Sequence, residues 1–456
     1  MSFHTLNPFT QEILKGFNYE SDQGITEKLR LSHQSFCNWK RKSINERNKY
    51  FINLIKVLEK NKNEYAITIT NEMGKSLKES LLEVEKCKSL IKHYIDNGEK
   101  YLKPEIIEAD GNKHYIVFEP LGVILSIMPW NFPFWQALRF AIPTIMAGST
   151  TIVKSAEETT QSGICIENAF LEAGFPEGVY QSLLASHEQI ETMMKFSKVA
   201  GVSFTGSTRG GTEVYSNAAK SLKKVVLELG GSDPFIVLED AELDKAVQSA
   251  VFSKLLNAGQ TCIAAKRFLV HEKIYDLFLD KFTNAMQEKK VGDPCMKDID
   301  LGPLYSSKGV NTLLEQVQDA KNKGASIHCG GKLKEEDTLL FLPTVISEIN
   351  PEMKISSEEV FGPVACVYKF ADEQQAVTLA NNTKYGLGAS VWGRDFEKIN
   401  SIVKEIDCGA VFVNSIVKSD PRVPFGGIKL SGIGRELGEQ GIKEFVNIKS
   451  LNYYLP

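Results

Sequence analysis

The stretch from residue 114 to residue 231 alternates between short apolar runs rich in β-branched residues and longer helical patterns, and that alternation limits the possible folds more than any other feature of the chain. Residues 114–120 and 122–128 read as strands, and Pro129-Trp130-Asn131-Phe132-Pro133 turns the second of them into a helix starting near Phe134. Strands follow at 150–154, 178–184, 199–204 and 225–229, separated by helices at 159–173 and from Gly206-Ser207-Thr208 through Ala219. Parallel strands need a crossover, usually a helix, so this order predicts an open, mainly parallel sheet with helices on both faces. Residues 25–101 read as helices. Beyond Gly231 the alternation resumes, with strands at 234–238, 266–270, 364–370, 389–392 and 410–414 and helices at 243–256, 274–286 and 373–381. That is a second α/β domain, in keeping with a length of 456 residues, too long for one ordinary core. The tail 445–453 alternates as an edge strand does.

Composition excludes several classes of function. With 43% hydrophobic and 24% charged residues and a net charge of −4, the chain has the make-up of a soluble globular protein and no basic excess to attract nucleic acid or an anionic membrane. No apolar run reaches the ~18 residues of a membrane span, and the N-terminus lacks a basic start followed by an apolar core, so no signal peptide is read. Eight cysteines without Cys-x-x-Cys pairing predict free thiols in a reducing, cytoplasmic setting. Seven histidines in no metal-binding spacing predict no metal site. Glu72-Met73-Gly74-Lys75-Ser76 contains a Gly-Lys-Ser triplet, but Ile69 stands where a phosphate loop needs its first glycine, so Lys75 reads as a solvated helix residue.

Two sites carry chemistry. Cys262 lies in Leu256-Asn257-Ala258-Gly259-Gln260-Thr261-Cys262-Ile263, a small polar turn between apolar runs, able to expose sulfur to a ligand. Glu228, between two leucines in Val226-Leu227-Glu228-Leu229-Gly230-Gly231, is a carboxyl in apolar surroundings, which raises its pKa toward that of a neutral-pH base. A thiol nucleophile and a separate base suit a reaction that forms a thioester and then hydrolyses it. Taken singly, each has a plainer alternative: a lone cysteine is most often a small buried hydrophobe, and a glutamate before Gly-Gly can cap a helix or pair with a lysine. No Gly-x-Gly-x-x-Gly follows an early strand. Phe204-Thr205-Gly206-Ser207-Thr208 instead offers a helix N-terminus as a pyrophosphate seat, or a simple cap at Ser207.

The ordered set Asn7-Pro8, Trp130-Asn131-Phe132-Pro133, Glu228-Leu229-Gly230-Gly231, Gly259-Gln260-Thr261-Cys262, Glu359-Val360-Phe361-Gly362-Pro363 and Gly434-Arg435-Glu436 resembles the NAD(P)-dependent aldehyde dehydrogenase superfamily over essentially the whole chain. Within it the chain is most similar to the short bacterial succinate-semialdehyde dehydrogenases, on Pro129 to Pro133 with Arg139, Ser419-Asp420-Pro421-Arg422 with Pro424-Phe425-Gly426-Gly427, and Ser431 to Gly438. The resemblance implies a Rossmann-type cofactor domain (1–101 and 121–228), an α/β catalytic domain (229–442) and a small β oligomerisation arm (102–120 and 443–456) that builds a homodimer or homotetramer. It implies that Cys262 attacks an aldehyde, that Asn131 and the Cys262 backbone N–H hold the oxyanion, that hydride passes to nicotinamide, and that Glu228 activates the hydrolytic water. Trp130, Gly206, Ser207 and Leu229 are placed along the cofactor, Lys154 and Glu157 on the adenosine ribose, and Glu359 and Phe361 at the nicotinamide end. A carboxylate at Glu157 opposes a 2′-phosphate, so NAD is expected over NADP, with NADP use left open. Trp135, Arg139, Thr261 and Ser419 are placed in the substrate pocket. Arg139 suits an aldehyde with a distal carboxylate, and its alternative is a structural ion pair. Ala264 stands where some relatives carry a second cysteine, so no local disulfide switch is expected, and the short N-terminus predicts a missing leading segment.

Overall fold

The computed structural model describes residues 2–110 and 112–454; Gly111, Leu455 and Pro456, which belong to the segments expected to form the arm, lie outside the described residues. Two sheets carry the molecule. The first has six strands in the spatial order Gly432–Ile433, Lys224–Glu228, Val199–Thr205, Val123–Met128, Thr150–Ser155 and Tyr180–Ser182, parallel except for the short first one. The second has seven, Ser326–Cys329, Thr344–Ser347, Val364–Phe370, Ala265–His271, Asp233–Val237, Gly388–Trp392 and Ala410–Val413, parallel except at its Ser326–Cys329 edge. The expected double α/β organisation is therefore present. Gly432–Ile433, sequentially within 229–442, nonetheless pairs with Leu227 and Glu228 in the first sheet.

Strand order explains where a ligand can enter. From Val123–Met128 the chain winds outward through Thr150–Ser155 and Tyr180–Ser182, then returns to place Val199–Thr205 on the other side of the starting strand. The helices after Val123–Met128 and Val199–Thr205 thus leave the sheet in opposite directions, opening a crevice between the carboxyl ends of those strands. Pro129 to Asn131 and Thr205 to Ser207 are the residues at those two ends.

Four helices, Asp22–Trp39, Ile44–Lys60, Lys62–Met73 and Leu77–Tyr101, cover the first sheet. They pack with the wholly buried helix Pro133–Met146 around Trp39, Phe51, Tyr94 and Phe134. Lys75 is not solvated as expected. It is 1% exposed, forms an ion pair with the equally buried Glu83, and lies 3.8 Å from the centroid of the Phe132 ring. Glu83 Oε1 accepts hydrogen bonds from the N–H groups of Phe134 (2.9 Å) and Trp135 (2.8 Å), capping the buried helix. A charge that cannot be hydrated is tolerated only with such partners.

The third sheet, Val446–Tyr453, Asn112–Pro120 and Glu105–Ala109, is antiparallel and leaves Val446–Tyr453 as an edge. At the N-terminus a hairpin of Ser2–Leu6 and Ile13–Asn18, turning through Asn7-Pro8, was not anticipated, because its residues are mostly exposed and show no sustained alternation.

Candidate active site

The Cys262 loop is shaped by backbone conformation. Asn257, Ala258 and Gly259 follow one another with φ of 54°, 52° and 74°, a left-handed run that throws the chain back before Ala265–His271 begins. At Gly259 a Cβ would lie 2.1 Å from the Gly362 carbonyl oxygen, so glycine is required there by both conformation and space. Asn257 donates from Nδ2 to the Asn131 carbonyl (2.9 Å), and Asn131 donates from Nδ2 to the Gln260 carbonyl (2.9 Å). These reciprocal bonds tie the turn after Val123–Met128 to the cysteine loop and leave one Nδ2 hydrogen of Asn131 uncommitted.

Cys262 is a wall shared by two cavities. The larger, about 510 Å³, lies in the crevice between the sheets and is lined by Asn131, Glu228 and Cys262 together with Trp130, Gly206, Ser207, Leu229, Glu359 and Phe361. All three expected catalytic residues and six of the eight expected cofactor residues therefore converge there. The smaller, about 140 Å³, holds Cys262 with Trp135, Arg139, Thr261 and Ser419, the four expected substrate residues. Asn131 does not line this second cavity; it faces the first.

Electrostatics set the resting state. Glu228 is 3% exposed and neither carboxyl oxygen has a hydrogen-bond partner; burial, and then the charge of Glu436, push its pKa well above the usual carboxylate range. At Gly426 (φ 152°) a Cβ would stand 2.6 Å from Glu228 Oε1, so the Phe425-Gly426-Gly427 backbone forms the surface against which the carboxyl rests. Burial also pushes the Cys262 thiol up to about 11, with Arg139 and Lys266 acting in the opposite direction. Lys266, not singled out in the sequence, donates to the Cys262 carbonyl (2.6 Å) and pairs with Glu359 (3.2 Å). Glu359 in turn accepts from the Gly231 N–H at 3.1 Å, so it is a fixed carboxylate.

The remaining residues divide. Ser207 caps the helix Thr208–Ala219, accepting from the Gly210 N–H at 3.2 Å, and still borders the larger cavity. Trp130 stacks on Tyr305 with ring centroids 3.5 Å apart, a partner the sequence did not reveal, since Tyr305 lies in an irregular segment far along the chain. Lys154 and Glu157 do not line either cavity. Lys154 is 8% exposed, within the strand Thr150–Ser155, and its ammonium donates to the Ser155 carbonyl at 3.3 Å. The Glu157 carboxylate accepts from the Tyr19 hydroxyl at 2.5 Å, which helps to raise the Tyr19 pKa to about 12, although burial is the larger cause.

Of the two readings of Arg139, free clamp or structural ion pair, the structure shows the ion pair. Its guanidinium pairs with Glu436, 5% exposed, and lies 4.8 Å from the Phe425 ring, leaving Nη2 without a hydrogen-bond partner. The smaller cavity contains a second cation that was not foreseen. Lys86 donates to Ser419 Oγ at 2.7 Å and sits 3.9 Å from the Trp135 ring centroid. Burial, and then the charge of Arg139, push its ammonium down to about 8.

A half-buried thiol, a buried carboxyl and an amide donor facing a cavity of about 510 Å³ at the switch point of an α/β sheet define a protein built for covalent catalysis beside a ligand-sized crevice. The aldehyde dehydrogenase family model matches residues 1–451, and the chain belongs to that family. It is 41% identical to the probable NADP(+) succinate-semialdehyde dehydrogenase of Synechocystis sp., over 99% of each chain. It is likewise 41% identical to NADP(+) succinate-semialdehyde dehydrogenase 1 of Mycobacterium tuberculosis, again over 99% of each. Among solved structures, the succinic semialdehyde dehydrogenase of Streptococcus pyogenes in complex with NADP+ superimposes with a TM-score of 0.97 at 35% identity, covering 100% of both chains. These relatives give no support to the expected preference for NAD. No helix among the described residues is long and apolar enough to cross a membrane, and no metal-holding group of three or more His, Cys, Asp or Glu occurs among them.

Proposed function

We propose that this chain oxidises succinate semialdehyde to succinate, with Cys262 as nucleophile, Asn131 and the Cys262 backbone N–H as oxyanion donors and Glu228 as the base of hydrolysis. The observation that carries the proposal is the position of Cys262 between two cavities, one of about 510 Å³ and the other of about 140 Å³ with Lys86 and Arg139 among its lining residues. The aldehyde enters from the small side. Arg139 and Lys266 oppose the burial of Cys262 and favour its thiolate. Attack on the carbonyl carbon gives a thiohemiacetal whose oxyanion accepts a hydrogen bond from the uncommitted Nδ2–H of Asn131. Bound NAD(P) supplies the hydride acceptor that converts this species to a thioester. The large cavity fits it: Ser207 and the start of Thr208–Ala219 offer N–H groups for a pyrophosphate, and the fixed Glu359 offers acceptors for ribose hydroxyls. Glu228, once deprotonated, removes a proton from water, which attacks the thioester and frees the acid and the thiolate.

The cofactor reading keeps NAD ahead of NADP. Its support is Glu157, a carboxylate held by Tyr19 just beyond Thr150–Ser155, where a 2′-phosphate would meet like charge. We also assign a three-part organisation (1–101 with 121–228, 229–442, and 102–120 with 443–456) and a homodimer or homotetramer assembled through the Val446–Tyr453 edge, whose Ile448 and Tyr453 are exposed. Eight unbridged thiols favour the cytoplasm.

The test compares kcat/KM for succinate semialdehyde and butanal, each with NAD and with NADP. The carboxylate-bearing aldehyde is expected to be favoured by roughly 10² or more, since a site built for a charged group rejects the analogue lacking it. Equal values refute the substrate assignment. A broader aldehyde dehydrogenase is the alternative, favoured by one observation, the engagement of Arg139 by Glu436.

A further inference from the structure

We infer that Lys86 is the cation that recognises the distal carboxylate of the aldehyde, with Arg139 serving instead as half of a neutral pair that shapes the cavity. This rests on the substrate assignment above. Four ionisable side chains other than Cys262 line the small cavity. Arg139 is balanced by Glu436. Glu83 is balanced by Lys75 and by two backbone N–H groups. Glu79 accepts from the Asn257 N–H at 2.7 Å and from the Ser76 hydroxyl at 3.0 Å. Lys86 forms no ion pair among the described residues; its partners are a neutral hydroxyl, Ser419 Oγ, and the face of Trp135.

An ammonium carries three donors, and one goes to Ser419, so Lys86 retains hydrogens for an anion. The Trp135 face holds it in place without neutralising it. Lys86, Ser419 and Trp135 stand in one cavity with Cys262, so a short aldehyde bonded to the sulfur would place its other end among them. An entering carboxylate would pair directly with the Lys86 ammonium, whose partners in the fold are a neutral hydroxyl and a ring. The Arg139–Glu436 pair cannot do this on net charge, although its unpartnered Nη2 can still donate.

The experiment measures the ratio of kcat/KM for succinate semialdehyde to that for butanal in wild type, Lys86→Met and Lys86→Arg. Lys86→Met should lower the ratio at least about tenfold, the loss falling on KM for succinate semialdehyde, because a charge-assisted hydrogen bond to the carboxylate is removed while the contacts of the aldehyde end are kept. Lys86→Arg, which keeps the charge, should retain most of it. A high wild-type ratio preserved in Lys86→Met overturns the role of Lys86 alone; a wild-type ratio near one overturns the substrate assignment and this inference together. Wild-type enzyme gives a second measure that needs no variant. Lys86 faces Glu83 and Cys87 from its own helix, Arg139 from Pro133–Met146 and Cys262 from its loop. Titration of Cys262 and Glu228 affects both aldehydes and cancels in the ratio. The ratio should fall as pH rises through about 8, where Lys86 loses its charge, and a ratio unchanged across that range overturns the inference.

Discussion

Replacing Glu83 by glutamine isolates the cost of a buried charge in this fold. Lys75 and Glu83 have side chains 0% and 1% exposed, and their contact uses Glu83 Oε2, while Oε1 accepts from the N–H groups of Phe134 and Trp135. Glutamine can keep the oxygen that caps the helix and place an amide NH2 where the ammonium was paired. The variant thus keeps the helix cap but loses the counter-charge and the acceptor, with an amide NH2 set against the ammonium. Removing one member of a buried ion pair costs about 3–5 kcal/mol, because the other is left desolvated and uncompensated. The Phe132 ring, 3.8 Å from the Lys75 ammonium, offsets part of this, on the order of 1–2 kcal/mol, which puts the expected loss near ~3 kcal/mol. Urea unfolding followed by tryptophan fluorescence measures it. Adding Lys75→Met should recover most of the stability, because neutral residues of similar volume replace a buried pair at little net cost. A loss below about 1 kcal/mol, or a double variant as unstable as the single, would refute the reasoning.

Glu228→Gln should release at most one NADH per site in a rapid burst and then stall, kcat falling by about 10²–10⁴; continued turnover would remove Glu228 from hydrolysis. The same variant should be more stable than wild type at pH 8. Glu228 is pushed up in the fold, so the folded state binds more protons than the unfolded one above pH ~4.3, and stability contributed by that carboxyl is lost as pH rises toward its folded value. Activity should rise from pH 6 to 9, because the thiol and the carboxyl both work deprotonated and both are pushed up; a profile falling over that range contradicts the assignment. Glu157→Ser should raise kcat/KM for NADP relative to NAD by roughly tenfold or more, like-charge opposition near the surface amounting to a few kcal/mol at most; an unchanged ratio means that Glu157 does not face the 2′ position. Gly259→Ala should abolish activity or folding, since its Cβ would meet the Gly362 carbonyl at 2.1 Å and its φ is 74°, and activity near wild type would show that the loop can relax.

How much was legible can be judged from particular residues. Cys262 and Glu228 stood out in local patterns, a Gly-containing turn and a strand end, Asn131 only through the family resemblance, and the structure brings all three to one cavity. Lys75 was misread. The sequence suggests a solvated helix residue, whereas Lys75 lies in the short link between Lys62–Met73 and Leu77–Tyr101, and the partner that buries it is eight residues on in the second of those helices. Lys86 was passed over because Glu83-Val84-Glu85-Lys86 looks like an ordinary charged helix surface. Glu83 does fall with Ser80, Val84 and Cys87 on the buried face of Leu77–Tyr101, and a charge on such a stripe is the signal that could have drawn attention there. Arg139 posed the opposite problem: an arginine in an apolar helix was found, but its partner is 297 positions away at Glu436.

The sequence alone determined most of the strand–helix alternation in residues 114–231, a second α/β region beyond Gly231 and the residue types at strand ends, because periodicity and turn chemistry act over a few neighbouring residues; the hairpin of Ser2–Leu6 and Ile13–Asn18, the helix Ser307–Asn322 and the strands Ser326–Cys329 and Thr344–Ser347 escaped it. The tertiary structure decided which charges are neutralised and which stay available: Arg139 closed by Glu436, Lys75 by Glu83, and Lys86 left with a hydroxyl and a ring. That division follows from range. Backbone preference is local, whereas the free energy of a buried charge depends on whatever the fold brings within a few ångströms of it.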